Sequence, residues 1–416
     1  MLRRATGALA VALAACGGGS TVIAPPPPPP PATFRIALSA DPEDVASAQA
    51  LGWTGIPDAD VTLTLVTGNG ATLTARSSAT GTADLGTVPS GEYFADVARW
   101  LTPTESAKLP AALGVNGWAI RKKVSVSVNG GLESVSVPTS RRRSLVISEW
   151  AFNPGWNVVT QSDYSDGGYL KLYNNADTTI YLDGVIVGEG FAVTYNYPNF
   201  PCSIYNAYAL DPAGLWNRFA QAFPGTGSEH PLLPGHTVVV ATDAIDHRPL
   251  FPNSLDLSHA DYEFVGAADV DNPSVPNMID VGTIPHPIHG IEFEDNTEIP
   301  FLSLPVSVPS LPHMPSPNGA NQEARFPIGK LLDVVALAPN YGAHPYPECP
   351  AYILPIFDRE PSRVRRDDNN ATNEEYQYGV QRRLTPLLSG GRKILQHTRS
   401  GYSDFVRAPR APTAVP

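Results

Sequence analysis

Hydrophobic and polar positions alternate with a period of two along much of the chain. Phe34-Arg35-Ile36-Ala37-Leu38 and Val61-Thr62-Leu63-Thr64-Leu65-Val66 place apolar side chains on one face and polar ones on the other. That pattern predicts half-buried antiparallel strands. Gly68-Asn69-Gly70 turns the chain into Ala71-Thr72-Leu73-Thr74-Ala75, and further alternating stretches run through Thr82 to Val97. Lys123 to Val128, the dipeptide Asn129-Gly130 and Val135-Ser136-Val137 predict a closing hairpin, because Asn-Gly tolerates the left-handed backbone of a two-residue turn. Asp41 to Leu51 reads as a short helix or a loop insertion. Pro138 to Ser144, with Arg141-Arg142-Arg143, breaks the pattern and marks a boundary.

Beyond it, Leu145-Val146-Ile147-Ser148-Glu149, Tyr169-Leu170-Lys171-Leu172-Tyr173, Thr179 to Val187, Leu233 to Ala241 and Gly329 to Leu337 predict more strands, with Asn and Gly at the turns. One helix is expected over Asp211 to Phe223. Asp211 would cap it, Pro212 would stand first, and Leu215, Phe219 and Phe223 would form the apolar stripe. Pro300 to Pro317 reads as an extended loop, and residues 407–416 as a disordered tail. The fold class expected is mostly β: two immunoglobulin-like or transthyretin-like sandwiches, the second with long irregular insertions and one short helix.

The N-terminus predicts the compartment. Met1-Leu2-Arg3-Arg4 is a positive start, Ala8 to Ala15 a short apolar stretch, and Leu13-Ala14-Ala15-Cys16 resembles the lipobox of bacterial lipoproteins. In that family the cysteine thiol takes a diacylglyceryl group and the chain is cut before it. Residues 1–15 are therefore expected to be a signal peptide and Cys16 the lipidated, palmitate-bearing residue, because the apolar run is far short of the ~20 residues that span a bilayer. Gly17-Gly18-Gly19-Ser20 and the seven prolines Pro25 to Pro31 make residues 16–32 a tether, slack and then stiff. Gly17 in place of Asp argues, by the same resemblance, for sorting to the outer membrane.

Composition agrees with a loop-rich β protein. Charged residues are 16 % and there are 43 prolines, which disfavours long helices. The net charge is −12, which repels phosphate backbones, so nucleic acid is not an expected partner. Three cysteines are present. With Cys16 lipidated, Cys202 and Cys349 remain as a pair that an oxidising compartment would join as a disulfide, with two separate buried thiols as the alternative.

Two family resemblances refine the organisation. Thr80-Gly81-Thr82-Ala83 through Val88-Pro89-Ser90-Gly91-Glu92-Tyr93 resembles the carboxypeptidase-regulatory, transthyretin-like sandwich, which implies a rigid domain over 33–139 with Tyr93 packed inside. The succession Ile147-Ser148-Glu149, Tyr169 to Asn175 and Leu182-Asp183-Gly184 resembles the lamin-tail domain, implying a sandwich with insertions over 144–406. The runs Val239 to His247, Leu255 to Glu263, Asp269-Val270-Asp271-Asn272-Pro273 and Arg392-Lys393-Ile394 are similar to a lipoprotein family known as domain of unknown function 4876. That resemblance implies an envelope lipoprotein of Gram-negative bacteria and no particular reaction.

No nucleophile elbow, Cys-x-x-Cys, His-Glu-x-x-His or phosphate loop occurs. Three constellations carry possible chemistry. His286 and His289 with Glu292 and Glu294 could bind a transition metal, or simply sit at the surface. Asp261, Glu263, Asp269, Asp271 and Asp280 offer the hard oxygens that calcium takes, or Asx-turn acceptors. Asp243, Asp246 and His247 could supply a general base, or a structural hydrogen-bond cluster. The aromatics Tyr195, Tyr197, Phe200, Tyr205 and Tyr208 could stack on a ligand or fill a core. No catalytic residues are assigned. The expected function is a non-enzymatic binding or partner-docking role in the envelope, beside an outer-membrane transporter or another envelope protein. A metal-assisted or two-carboxylate hydrolase and a purely structural envelope protein stand as alternatives.

Overall fold

A computed structural model describes residues 33–66, 72–151, 155–157, 159, 162–164, 167–190, 211–250, 254–266, 271–282, 299–315, 322–335 and 378–413. Cys16, Cys202, Cys349, Asp269, His286, His289, Glu292, Glu294 and the aromatics Tyr195 to Tyr208 lie outside them. The fold is mostly β. Among the described residues no helix is long and apolar enough to cross a membrane.

Residues 33–141 form a sandwich of two sheets. Thr82–Thr87, Thr33–Ala40 and Gly131–Val137 make the smaller sheet, and Leu73–Arg76, Asp60–Leu65, Gly91–Trp100, Val115–Val126 and Thr139–Arg141 the larger. The predicted alternation is met: Phe34, Ile36 and Leu38 are buried, as are Val61 and Leu63, and all face one core with Trp118 and Tyr93. The Tyr93 hydroxyl donates to the Pro89 carbonyl at 3.0 Å, so the ring packs inside while its polar tip is satisfied. One expectation fails here. The turn at Asn129-Gly130, with Gly130 at φ 67°, does not close a hairpin. Instead Val115–Val126 stays in the larger sheet, and Gly131–Val137 pairs parallel with Thr33–Ala40 in the smaller one. Crossing between sheets lets Val124 and Val126 meet Val135 and Val137 across the core.

The second half is also layered. A six-stranded sheet runs in the order Tyr262–Glu263, Thr237–Ala241, Tyr169–Asn174, Leu145–Ala151, Tyr378–Arg382 and Phe405–Pro409. A seven-stranded sheet holds Ile186–Gly190, Gly214–Ala222 and Ile299–Ser303 near its centre. Ile147, Leu170, Leu172 and Val240 point inward from the first sheet and pack against Val187, Phe223 and Leu302 from the second. The outer face of each sheet is covered as well, by separate apolar clusters.

Three further expectations are corrected by this layering. Asp211 to Phe223 is not a helix: Gly214–Ala222 is a strand paired on both sides, with Leu215 and Phe326 neighbours in one cluster. Its stripe of large residues is met by two buried sheet faces, and tertiary burial overrides local helix signals. Pro300 to Pro317 begins as a buried strand, Ile299–Ser303, hydrogen-bonded to Ile186–Gly190, and runs through a 3-10 turn at Val308–Ser310 to a second strand, His313–Pro315, paired with Gln322–Pro327. Residues 407–413 are not a loose tail, because Phe405–Pro409 pairs with Tyr378–Arg382.

The late segment brings cations into the interior. The Arg382 guanidinium, almost fully buried, donates to Asp333 at 2.6 Å and to the Ile147 carbonyl at 2.8 Å. Asp333 also accepts the Ile147 N–H at 2.8 Å and faces His397 at 3.3 Å. Burial pushes the Asp333 carboxyl up, but Arg382 and His397 outweigh it and hold the pKa at about 2. A depressed carboxyl contributes stability above its ordinary range and loses it on acidification. The unfolding free energy is therefore expected to fall as the pH drops from about 4 towards 2. Arg382→Ala, which strands a buried carboxylate, is expected to cost about 3–5 kcal/mol at neutral pH by chemical denaturation.

Candidate functional site

Alternation along Tyr169–Asn174 sends Leu170 and Leu172 inward and Tyr169, Lys171 and Tyr173 to the outer face of the six-stranded sheet. An outer face would ordinarily meet water, yet all three are buried. Glu149, directly opposite Lys171 on the neighbouring strand, is buried too. Lys171 pairs with Glu149, and the Tyr169 hydroxyl donates to the same carboxylate. Burial and then the Glu149 charge raise the Tyr169 pKa well above its usual value, so the phenol keeps its proton.

Tyr173 packs against Leu395 and donates to the Lys393 carbonyl at 2.7 Å, while the Glu149, Lys171 and Tyr169 polar groups meet the segment that follows Phe405–Pro409. Ala411 donates its N–H to Glu149 at 2.9 Å and to the Tyr169 oxygen at 3.0 Å, and its carbonyl accepts from Lys171. One ion pair thus reads both backbone groups of one residue, a contact indifferent to the side chain carried there. Beside that segment opens a crevice of about 280 Å³, lined by Val239, Leu257, His259, Asp261, Pro412 and Thr413 among others. Its walls mix apolar surface with a few polar groups, as ligand clefts do.

The other wall is the segment after Ala241. Here the structure gives the sequence candidates definite tasks. His247 is fully buried, and its Nε2 lies 2.9 Å from the Asp243 carbonyl. Asp246 turns to Arg248, at 2.7 Å from both Nε and Nη2, and Asp256 shares that guanidinium at 2.8 Å. The Arg248 hydrogen bonds hold the Asp246 carboxyl below its ordinary range. Glu263, wholly buried, accepts the Ala244 N–H on one oxygen and the Asn272 N–H on the other, both at 3.0 Å. Asp271 accepts from the Asn277 amide at 2.7 Å. Asp261 accepts the Val239 N–H at 2.8 Å on the crevice wall. Asp280 is exposed on a strand of the other sheet. Asp246, Asp261, Glu263, Asp271 and Asp280 are thus spread over separate partners, an arginine, an amide side chain and backbone N–H groups, and do not converge on one point.

Reading the sequence alone missed Glu149, Lys171 and Tyr169. The available signal was a charge in the middle of each of two otherwise apolar strands, Val-Ile-Ser-Glu-Trp and Leu-Lys-Leu. Such charges pair with each other when both strands are buried. Glu263→Ala is expected to leave two N–H groups without acceptors and to cost more than about 2 kcal/mol in denaturant unfolding. A ligand role alone would leave the unliganded protein's stability unchanged.

Residues 233–297 match a family model described as "Protein of unknown function (DUF4876)". This stretch carries much of the crevice wall, including Val239, Leu257, His259 and Asp261. No curated protein matches the chain. Among solved structures, the chain is similar to a DUF4876 family protein from Bacteroides thetaiotaomicron VPI-5482. The two share 18 % identity over 90 % of this chain and 95 % of that one, with a TM-score of 0.48. A second similarity is to fervidolysin from Fervidobacterium pennivorans, a keratinolytic enzyme related to subtilisin. It has 15 % identity over 38 % of this chain and 26 % of that one, with a TM-score of 0.17.

Proposed function

From a chain whose residues 233–297 match the DUF4876 family model, we propose a lipid-anchored protein of the cell envelope that binds a partner without transforming it. The family description assigns no activity, and no enzyme family matches. The reading of compartment rests on Leu13-Ala14-Ala15-Cys16 and the Gly- and Pro-rich stretch after it. A diacylglyceryl group brings the two acyl chains that stable membrane attachment needs, and a proline run would hold the folded body off the surface. The outer membrane is the destination that fits Gly17.

The observation that carries the binding role is the open crevice of about 280 Å³. Glu149 and Lys171 fix the backbone of the chain's own Ala411 against the sheet face, which holds Pro412 and Thr413 in place as one wall of that crevice. A surface built this way suits an extended segment of another envelope protein, such as a transporter loop, with Asp261 and His259 at the rim as polar anchors. A two-carboxylate hydrolase would need a pair of acids free to face one bond. Asp246, Glu263 and Asp261 instead hold an arginine or backbone amides.

Two measurements check this. Mass spectrometry of protein from native membranes is expected to show a chain beginning at Cys16 and carrying acyl groups; an uncleaved, unmodified start contradicts the anchor. Recovery of the lipidated protein from detergent-solubilised outer membranes is expected to bring a stoichiometric envelope partner. His259→Trp, an exposed change that fills the crevice, is expected to lower that recovery at least about tenfold, the equivalent of 1.4 kcal/mol. Equal recovery with both forms counts against the crevice as the docking site.

A further inference from the structure

A second cluster lies outside the crevice and independent of it. Asp183 sits in the turn between Ile180–Tyr181 and Ile186–Gly190, and the loop 225–230 closes over it. Asp183 Oδ1 accepts the N–H groups of Gly227 at 3.3 Å and Glu229 at 2.8 Å, and Oδ2 that of His230 at 3.0 Å. These bonds fix the loop so that Asp183, Glu229 and His230 each bring one ligand atom within 4.8 Å of the other two. Asp183 is buried, His230 half-buried and Glu229 exposed, which leaves a path from solvent.

Two features outside the three side chains point to a cation. His230 Nδ1 lies 2.8 Å from the Tyr262 hydroxyl, and that ring is itself braced edge-on against Phe223 at 4.9 Å. In the tautomer whose proton sits on Nδ1, His230 donates to the Tyr262 oxygen and its Nε2 is unprotonated and aimed, the arrangement that orients histidine ligands around metals. Gly225, at φ 104°, stands where any Cβ would come within 2.2 Å of Asp183 Oδ1 and 2.9 Å of the His230 ring. The cluster is kept open by the lack of a side chain there. An ionised carboxylate has about four acceptor positions, and Asp183 accepts the backbone N–H groups of Gly227, Glu229, His230 and its own residue, so a cation would share its oxygens with these donors. Glu229 uses one oxygen for the Thr226 hydroxyl at 2.8 Å and has the other to offer.

We propose that Asp183, Glu229 and His230 bind a divalent transition-metal ion of the zinc type. One imidazole nitrogen with two carboxylate oxygens suits such an ion, whereas calcium wants six to eight oxygens. Zinc–ligand bonds of ~2.0–2.2 Å require the ligand atoms to draw in from their present spacing, and the exposed Glu229 side chain can swing to do so.

The test is calorimetric titration of the full chain with zinc, followed by absorption of the cobalt(II) form. One saturable equivalent is expected, with calcium unable to compete. Glu229→Gln, an exposed change that leaves the fold intact, is expected to weaken zinc at least about tenfold. His230→Asn is expected to abolish it, and Tyr262→Phe to weaken it by about 10–100-fold while keeping all three ligands. A double variant, His286→Asn with His289→Asn, serves as a control and should bind as the parent does. Metal-free unfolding midpoints identify any variant that has lost its fold, and Glu229→Gln then decides. Absence of saturable zinc uptake overturns the proposal. So does uptake unchanged by Glu229→Gln, or uptake lost only in the control.

Discussion

Buried arginine–carboxylate pairs supplied by the last described segment hold the layers of this protein together. Arg399 donates to Asp44 and to Glu43, each at 2.8 Å, while Arg141 reaches Asp44 at 3.0 Å. Asp44 belongs to the first sandwich, and its carboxylate also accepts the Thr139 N–H and hydroxyl at 2.9 Å. Arg382 does the same for Asp333 in the second. Taking Asp44 and Asp333 out of water costs several kcal/mol each, repaid only when every partner is in place. The arrangement is therefore all-or-none in character. Arg399 itself has φ 62°, a left-handed backbone that a residue with a side chain adopts only when its surroundings enforce it.

The same segment also reaches the crevice. Between Arg382 and Ala411 the chain joins the six-stranded sheet through Phe405–Pro409, touches the first sandwich through Ser403, which accepts the Arg121 N–H at 2.9 Å, and then crosses the sheet face. Its final residues become one wall of the crevice whose other wall is the family-matched stretch. A surface assembled from distant parts of the chain is rigid where the ion pairs fix it. Glu149 and Lys171 thus hold Ala411, and with it the crevice wall at Pro412 and Thr413, in one geometry.

Legibility in the sequence followed physical range. Strands such as 33–40 and 60–65 could be read because alternation is a local signal and one face is buried. Gly214–Ala222 could not, since its Leu, Phe and Phe spacing fits a helix until neighbouring strands occupy both its edges. The Asn129-Gly130 turn was legible as a turn, but whether it joins two partners or two sheets depends on the distant strand Thr33–Ala40. The sites were hidden for the same reason. Asp183 and His230, or Glu149 and Ala411, are far apart in sequence, and neither pair carries a motif. The acids that did stand out, Glu263 and Asp246 among them, proved to hold backbone and arginine.

The claim that the late segment's ion pairs unite the two sandwiches is tested most directly by calorimetric unfolding of Arg399→Ala. The account predicts one transition for the parent protein, and for the variant a lowered trace resolved into two, as the halves melt separately. A variant that unfolds in one transition at the parental midpoint would contradict it.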